Sequence, residues 1–530
     1  MGVQFKQRSA CNVKPLGIYL LRNLCGIVSR PYFATLMTIS QTMRQDTSSS
    51  FLHGPPSPLI VTLPCPSTNP VELYANIAST EHPSFLLENG SGRTMGRYSY
   101  FSANPYYGLS GMGPRLAERP TGNQGTSRLA PFERLAQLFA DQHITRPPEA
   151  PPFFGGAVGY LSYDLVRQFE ILPSIAPSHP LVPDLEFAFF DLVAAVDHER
   201  NHLILMFCPP LTRFLGESRE RLFHEGRDRL AAFEALLTRP STVDAHPDSL
   251  GLLTFTPEQE QATYMESVRR CQDYIAAGDI YQANLSHRFT VNCSSLRQGH
   301  FQADLSAYRR LRNLNPSPFS GLLRFDTVRL ISSSPERLVR LDDRRADTRP
   351  IAGTRPRGKT PLEDQRLVGE LRANEKERAE HIMLVDLERN DLGRVCRFGS
   401  VRVDEVMTLE QYSHVSHLVS NITGMLSDQA TGFDLLRAMF PGGTITGVPK
   451  VRCMEIIEEL EPVRRGLYTG SMGYLSWSGD LDFNILIRTL TMIQGTGYLQ
   501  VGAGIVADSD PEREYEETIH KAQAFFSAFG

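Results

Sequence analysis

Residues 280–291 read IYQANLSHRFTV. Tyr281, Ala283, Leu285, Phe289 and Val291 fall on one face of this stretch, and Gln282, Asn284, Ser286 and Arg288 fall on the other. A two-residue period is that of a β-strand. The apolar face calls for a second layer to cover it. The polar face belongs either to solvent, on a half-exposed sheet, or to a site. The pattern alone leaves both open.

Upstream, Thr256-Pro257-Glu258-Gln259 reads as a helix start, with Thr as N-cap, Pro at the first position and Gln at the capping-box position. Tyr264, Met265, Val268, Cys271 and Ile275 then recur at helical spacing, and Gly278 ends the helix. Before it, STVDAHPDSLGLL (241–253) breaks the chain after a charged helix running from 217 to 237. The expected organisation is an N-terminal region at 56–245 and a catalytic region at 250–530, without internal repeats. In the first region, 108–128 reads as a Gly/Pro-rich loop, and 153–170 (FFGGAVGYLSYDLVRQFE) as a strand running into a helix. Residues 1–45 hold six Lys or Arg and no acid around an apolar run, so 1–55 is set apart. It is either a targeting segment or translated sequence upstream of a start at Met37 or Met43.

Across 530 residues, 41% hydrophobic and 21% charged content suit a globular protein with a sizeable core. A net charge of −5 speaks against a nucleic-acid partner. Eight scattered cysteines without a CxxC pair fit a reducing compartment, and no run is long enough for a membrane span; the cytoplasm is expected.

Two helical patterns carry acid pairs. Glu377 and Glu380 share a face at i, i+3, as do Glu514 and Glu517 with Lys521 one turn further. Glutamates on helices are ordinarily solvated. If the two helices meet, however, four carboxylates converge, and such an oxygen-only set calls for a hard cation, Mg²⁺ where the substrate is an anion. FPGGTITGVPK (440–450) and VGAGIVADSD (501–510) add glycine turns whose N–H groups suit a carboxylate or phosphate. Neither has the Gly-Lys-Ser/Thr of a nucleotide P-loop.

SSSPERL (332–338), RPIAGTRPRG (349–358), ERAEHIMLVDLERNDLGRV (377–395), SHVSHLVS (413–420), FPGGTITGVPKVRCMEIIEELEP (440–462) and GAGIVADSDPEREYEET (502–518) closely resemble the chorismate-utilising enzymes. That group spans anthranilate synthase component I, aminodeoxychorismate synthase component I, and the isochorismate and salicylate synthases. The likeness is dense over 255–528 and weaker over 58–210. It implies an α+β fold of large antiparallel β-sheets packed as a sandwich with surrounding helices. It also implies Mg²⁺ on Glu380 and Glu517, with Glu377 and Glu514 close by. Ala352, Gly353, Thr444, Tyr468, Arg488, Gly502, Gly504 and Lys521 become substrate contacts. Glu336 becomes the general acid that protonates the leaving C4 hydroxyl of chorismate, and His417, Gln282 and Thr354 complete the catalytic set.

The resemblance also bears on the nucleophile. Gln282 stands where the isochorismate and salicylate branch has a water-activating lysine, so ammonia is expected instead. With no Gly-x-Cys-x-Gly segment in the chain, it should come from a separate glutamine amidotransferase subunit. Ala352 stands where aminodeoxychorismate synthases usually carry a nucleophilic lysine, and PIAGT by itself points to anthranilate synthase. PGGTITG, IYQANLSHRF, SMGYLSWSG and DFNILIRTL point to the aminodeoxychorismate branch, and LLEN, with Asn89 where tryptophan-inhibited enzymes have LLES, agrees. The expected product is 4-amino-4-deoxychorismate, on the way to 4-aminobenzoate and folate, with anthranilate as the alternative. A chorismate-binding subunit without catalysis is disfavoured because Glu336, Glu380 and Glu517 are all present.

Overall fold

The structure, a computed structural model, describes residues 47–78, 83–88, 96–120, 124–126, 128–239, 253–293, 301–411 and 415–529. The readings of 1–45, of Asn89 and of most of the break at 241–253 lie outside them. Two twelve-stranded antiparallel sheets, with helices around them, make an α+β architecture, as the resemblance implies. In the first sheet, Ser84–Leu87 pairs with Phe319–Arg324; in the second, Gly156–Leu161 pairs with Ser471–Ser476. Each sheet therefore draws strands from both sides of residues 240–252.

The sheets meet face to face through aromatic side chains. Phe85 of the first lies 4.9 Å from Phe190 of the second, edge to face, and Tyr100 lies 5.5 Å from Tyr474. Such contacts add to the area the rings bury.

The elements that frame the candidate site are, in chain order, α1 (Gln261–Ala276), β1 (Gln282–Asn292), β2 (Arg337–Asp342), β3 (Arg345–Thr348), β4 (Ile351–Pro356), α2 (Glu375–Gly393), β5 (Val415–Met425), α3 (Lys450–Leu460), β6 (Thr496–Ile505) and α4 (Pro511–Phe529). Asn374 caps α2 by accepting from the Glu377 N–H at 3.1 Å, which fixes where the first acid of the pair stands.

Three local readings are corrected. Tyr281 lies outside β1 and is 71% exposed, whereas Gln282, Ser286 and Arg288 are buried. The polar face of β1 is thus interior, and the half-solvated reading falls. Thr256 does not cap α1: Phe255–Pro257 is a short strand paired with β1, and α1 begins at Gln261. Strand pairing outweighed local capping propensity there. Residues 108–128 are mostly not loop; Tyr107–Met112 and Arg115–Arg119 form a hairpin turning at Gly113, whose φ of 54° suits glycine. The glycines within this hairpin answer to packing, since a Cβ at Gly111 would stand 2.4 Å from Pro131.

Phe85 is fully buried between the sheets. Phe85→Ala is expected to cost about 3–5 kcal/mol, read as a lower thermal unfolding midpoint; an unchanged midpoint would contradict the sandwich packing.

Candidate active site

β1 and β6 form the floor. Their antiparallel register sets Asn284 opposite Gly504 and Ser286 opposite Gly502. A Cβ on Gly502 would meet Asn284 Oδ1 at 2.7 Å and the Tyr468 hydroxyl at 2.8 Å; one on Gly504 would meet Gln282 Nε2 at 2.6 Å. The glycines therefore leave a recess above β6 walled by Gln282, Asn284 and Tyr468. Lys521, on α4, donates to the Gly502 carbonyl at 2.9 Å, and Gln282 Nε2 donates to Glu380 Oε1 at 2.7 Å.

Beside this floor, Glu336 precedes β2. Its carbonyl accepts from Ile485 N–H at 3.0 Å, and its side chain is buried with Oε1 unpartnered. Burial pushes its carboxyl up to about 7, against the pull of the Thr444 hydroxyl and the charges of Arg488 and Lys521. Thr444 sits in the turn Gly443–Ile445, whose shape is held from three sides. Thr446 Oγ1 donates to the Gly442 carbonyl at 2.9 Å, Asn284 N–H to the Thr446 carbonyl at 2.9 Å, and Arg465 Nη1 to the Ile445 carbonyl at 2.8 Å. Thr444 Oγ1 itself is buried, close enough to Glu336 to lower its pKa yet without a formed hydrogen bond.

Arg488 adopts φ 49°, an uncommon conformation for a non-glycine residue that clusters at functional sites. Among the described residues no carboxylate pairs with its guanidinium, and burial lowers its pKa. It is a cation left free for an anion.

His417 lies on β5 opposite Thr354 of β4, and Ala352 stands opposite Leu418, with a bulge between the two pairs at Gly353. Gly353 has φ 57°, and a Cβ there would come within 2.3 Å of Glu377 Oε2. Burial, with the charge of Arg488, lowers His417 to about 4, the Gly353 backbone opposing. An imidazole so shifted is neutral near pH 7.

The carboxylates of α2 and α4 do come near one another. Burial raises both Glu380 and Glu514, and the charge of Glu517 adds to each. Yet each has its own partner: Gln282 on Glu380, Arg355 on Glu377 at 2.8 Å, the Ser509 hydroxyl on Glu514 at 2.7 Å and Lys521 on Glu517 at 2.8 Å. Among the described residues, no three His, Cys, Asp or Glu side chains stand together as a formed metal site. The donor set nonetheless fits a hard cation. All four groups offer oxygen, and the buried Glu377 Oε2 and Gln282 Oε1 have no hydrogen-bond partner.

Three buried groups at the site went unread in the sequence. Arg465 joins Glu461 at 2.7 Å and the Asn284 carbonyl at 2.6 Å, tying β1 to the segment after α3. Lys450 pairs with Asp391 at 2.5 Å, and the Thr348 hydroxyl lies 2.7 Å from Glu388 Oε2. Glu388 and Asp391 belong to the quoted LERND segment, but their spacing does not separate a buried acid from a solvated one.

The family profile described as chorismate binding enzyme matches residues 84–527. The chain is 45% identical to anthranilate synthase component 1 of Thermus thermophilus, over 87% of this chain and 95% of that one. It is 40% identical to aminodeoxychorismate synthase component 1 of Bacillus subtilis, over 86% and 93%. The crystal structure of anthranilate synthase component I from Streptococcus pneumoniae superposes with a TM-score of 0.71 at 33% identity, covering 81% of this chain and 92% of that one.

Glu336 also sets a pH dependence of stability. Its folded pKa of about 7 stands above the ordinary 4.5, so the stability it allows is complete below 4.5 and is lost as pH rises to about 7. Relative to wild type, Glu336→Gln is expected to gain roughly 3 kcal/mol across that window. Denaturant titrations at pH 4.5 and 8 check this; parallel pH profiles would show Glu336 to be ionised throughout.

Proposed function

Because the chain belongs to the chorismate-binding enzyme family, of the anthranilate and aminodeoxychorismate synthase component I type, we propose that it replaces the C4 hydroxyl of chorismate with ammonia to give 4-amino-4-deoxychorismate. The observation that carries the chemistry is the buried Glu336, its carboxyl pushed up to about 7, beside the unpaired Arg488. Glu336 gives its proton to the leaving hydroxyl, which departs as water while the ammonia nitrogen forms the new C–N bond. Arg488 holds a carboxylate of the substrate, which it suits by its paired N–H groups. Thr444 and Tyr468 add hydrogen bonds, the recess at Gly502 admits the ring carboxylate, and neutral His417 orients the substrate without protonating it.

Gln282 has no basic nitrogen and is held on Glu380. No base for water stands at that position, in keeping with ammonia as nucleophile. Its source would be a separate glutamine amidotransferase subunit. Glu380 and Glu517, with Glu377 and Glu514 nearby, would hold Mg²⁺. When bound, the ion offsets the charge of these carboxylates and of the substrate's own. No helix among the described residues is long and apolar enough to cross a membrane, and a cytoplasmic location fits the scattered cysteines.

The product choice rests on the GGTITG turn, where Thr446 is buried with its hydroxyl on the Gly442 carbonyl. Anthranilate is the second reading, favoured by Ala352 and by the Thermus thermophilus relative. In that case ammonia attacks C2 and pyruvate is then eliminated.

Two measurements follow. Glu336→Gln is expected to bind chorismate but turn over about 10²-fold more slowly, and wild-type kcat to fall as pH rises through about 7; a near-normal rate would move the acid role elsewhere. Incubation with chorismate, Mg²⁺ and ammonium chloride, with and without an aminodeoxychorismate lyase, tests the product. The expected result is 4-aminobenzoate only with the lyase, and none in EDTA. Fluorescent anthranilate and pyruvate without the lyase would replace the first reading by the second.

A further inference from the structure

We propose that Glu388 is a positioning residue for Glu336: its carboxyl, carrying its proton, donates to the Thr348 hydroxyl, which donates to the Leu338 carbonyl and pins the bulge that presents Glu336. The inference rests on the reading of Glu336 as the proton donor.

The bulge is visible in the ladder. β2 pairs with Leu481–Ile485 through Arg337 opposite Asn484 and Val339 opposite Phe483, so the register shifts across Leu338. A bulge takes a residue out of the ladder's hydrogen bonding. The Leu338 carbonyl is met instead by Thr348 Oγ1 of β3 at 2.9 Å. The same hydroxyl lies 2.7 Å from Glu388 Oε2 of α2. A threonine hydroxyl has one proton, and a carbonyl only accepts. An ionised Glu388 also only accepts, and one proton cannot serve both oxygens. Both contacts are hydrogen bonds only when Glu388 is protonated and gives its proton to Thr348.

The surroundings agree. Glu388 is 4% exposed and Thr348 1%. Burial pushes the Glu388 carboxyl up to about 8 against the opposing pull of the Thr348 hydroxyl, and Glu336 and Asp391 add to the rise. Lys450 opposes it but is already paired with Asp391 at 2.5 Å. The main chain of Glu336 is held on its other side by Ile485, whose N–H donates to the Glu336 carbonyl at 3.0 Å and whose carbonyl accepts from Ser334 Oγ at 2.6 Å. The general acid is thus pinned between two contacts, one of which depends on a proton. Loss of that proton turns the Thr348 hydroxyl toward Glu388 and leaves the Leu338 carbonyl, two residues from Glu336, without its donor.

The test compares Thr348→Val, Thr348→Ser, Glu388→Leu and Glu388→Gln in the ammonium-dependent assay, with thermal midpoints recorded for each. Thr348→Val and Glu388→Leu are expected to lower kcat by about tenfold or more with KM for chorismate within about twofold. Thr348→Ser, which restores the hydroxyl, and Glu388→Gln, whose amide still donates, are expected to recover most of that loss. The pH profile separates positioning from bulk structure. Wild-type log kcat should fall with slope about −1 above pH 7 and steepen toward about −2 above pH 8, since two protons are needed, and Glu388→Gln should keep a slope of about −1. Should the Leu and Val variants fail to fold, the isosteric Gln variant and its profile decide alone. A Gln variant as slow as Leu, a Thr348→Val enzyme at wild-type rate, or a slope of −2 kept in the Gln variant would each overturn the proposal. A wild-type enzyme that does not consume chorismate, or a fully active Glu336→Gln, would instead sink the functional reading.

Discussion

The pairing of β1 with β6 is the constraint from which the site follows. Ten consecutive residue pairs lock the register from Ala283–Ile505 to Asn292–Thr496. A slip of one residue would turn every side chain of β1 to the other face and carry Gly502 and Gly504 away from Gln282, Asn284 and Tyr468. The glycines then do what no other residue can. Any Cβ at 502 or 504 would lie within 2.7 Å of a neighbouring polar atom, so the recess exists because two side chains are missing. β6 continues into α4, which brings Glu514, Glu517 and Lys521 back over the same recess, with Lys521 tied to Gly502. From the other end of the strand pair, Gln282 reaches across to α2 and holds Glu380.

The pattern of charge inside this frame has a single sense. Burial shifts three groups toward their neutral forms: Glu336 and Glu388 as acids, His417 as free imidazole. Elsewhere in the interior, ions are matched, as Arg465 is with Glu461 and Asp304 is with Arg324 and Arg329. Arg488 departs from this rule. Its guanidinium is part-buried, and a cation withdrawn from water without a counter-ion carries a desolvation cost.

The sequence disclosed the ladder of motifs that frames the candidate site, since glycines, acid pairs and an alternating strand each leave a mark at short range. It did not disclose what depends on distant partners. Thr256 looked like a cap and became a strand residue because β1 offered it a pairing edge. The 108–128 segment looked like loop because its glycines were read as breakers, when Gly111 in fact makes room for Pro131. The alternation of β1 was legible, but whether its polar face met water or an interior depended on α2, α4 and Tyr468, all far away in the chain. Converging acids were anticipated on α2 and α4, yet not that Gln282, Arg355, Ser509 and Lys521 would each take one. Glu388 has the local appearance of any helix glutamate; only Thr348 and the β2 bulge make it different.

These same features bear on why Ala352 does not by itself decide the product. Both candidate reactions remove the same C4 hydroxyl, so both would call on the same acid, and the proposed role of Glu336 does not distinguish them. The position of residue 352 is also fixed whatever its side chain. The left-handed Gly353 and its close approach to Glu377 set the bulge, and β5 pairs on either side of it. The turn at 442–447 is likewise held in place. It is buttressed by Arg465 and by the Asn284 backbone, with Thr446 fully buried inside it. A position packed in this way tolerates little change in side-chain volume.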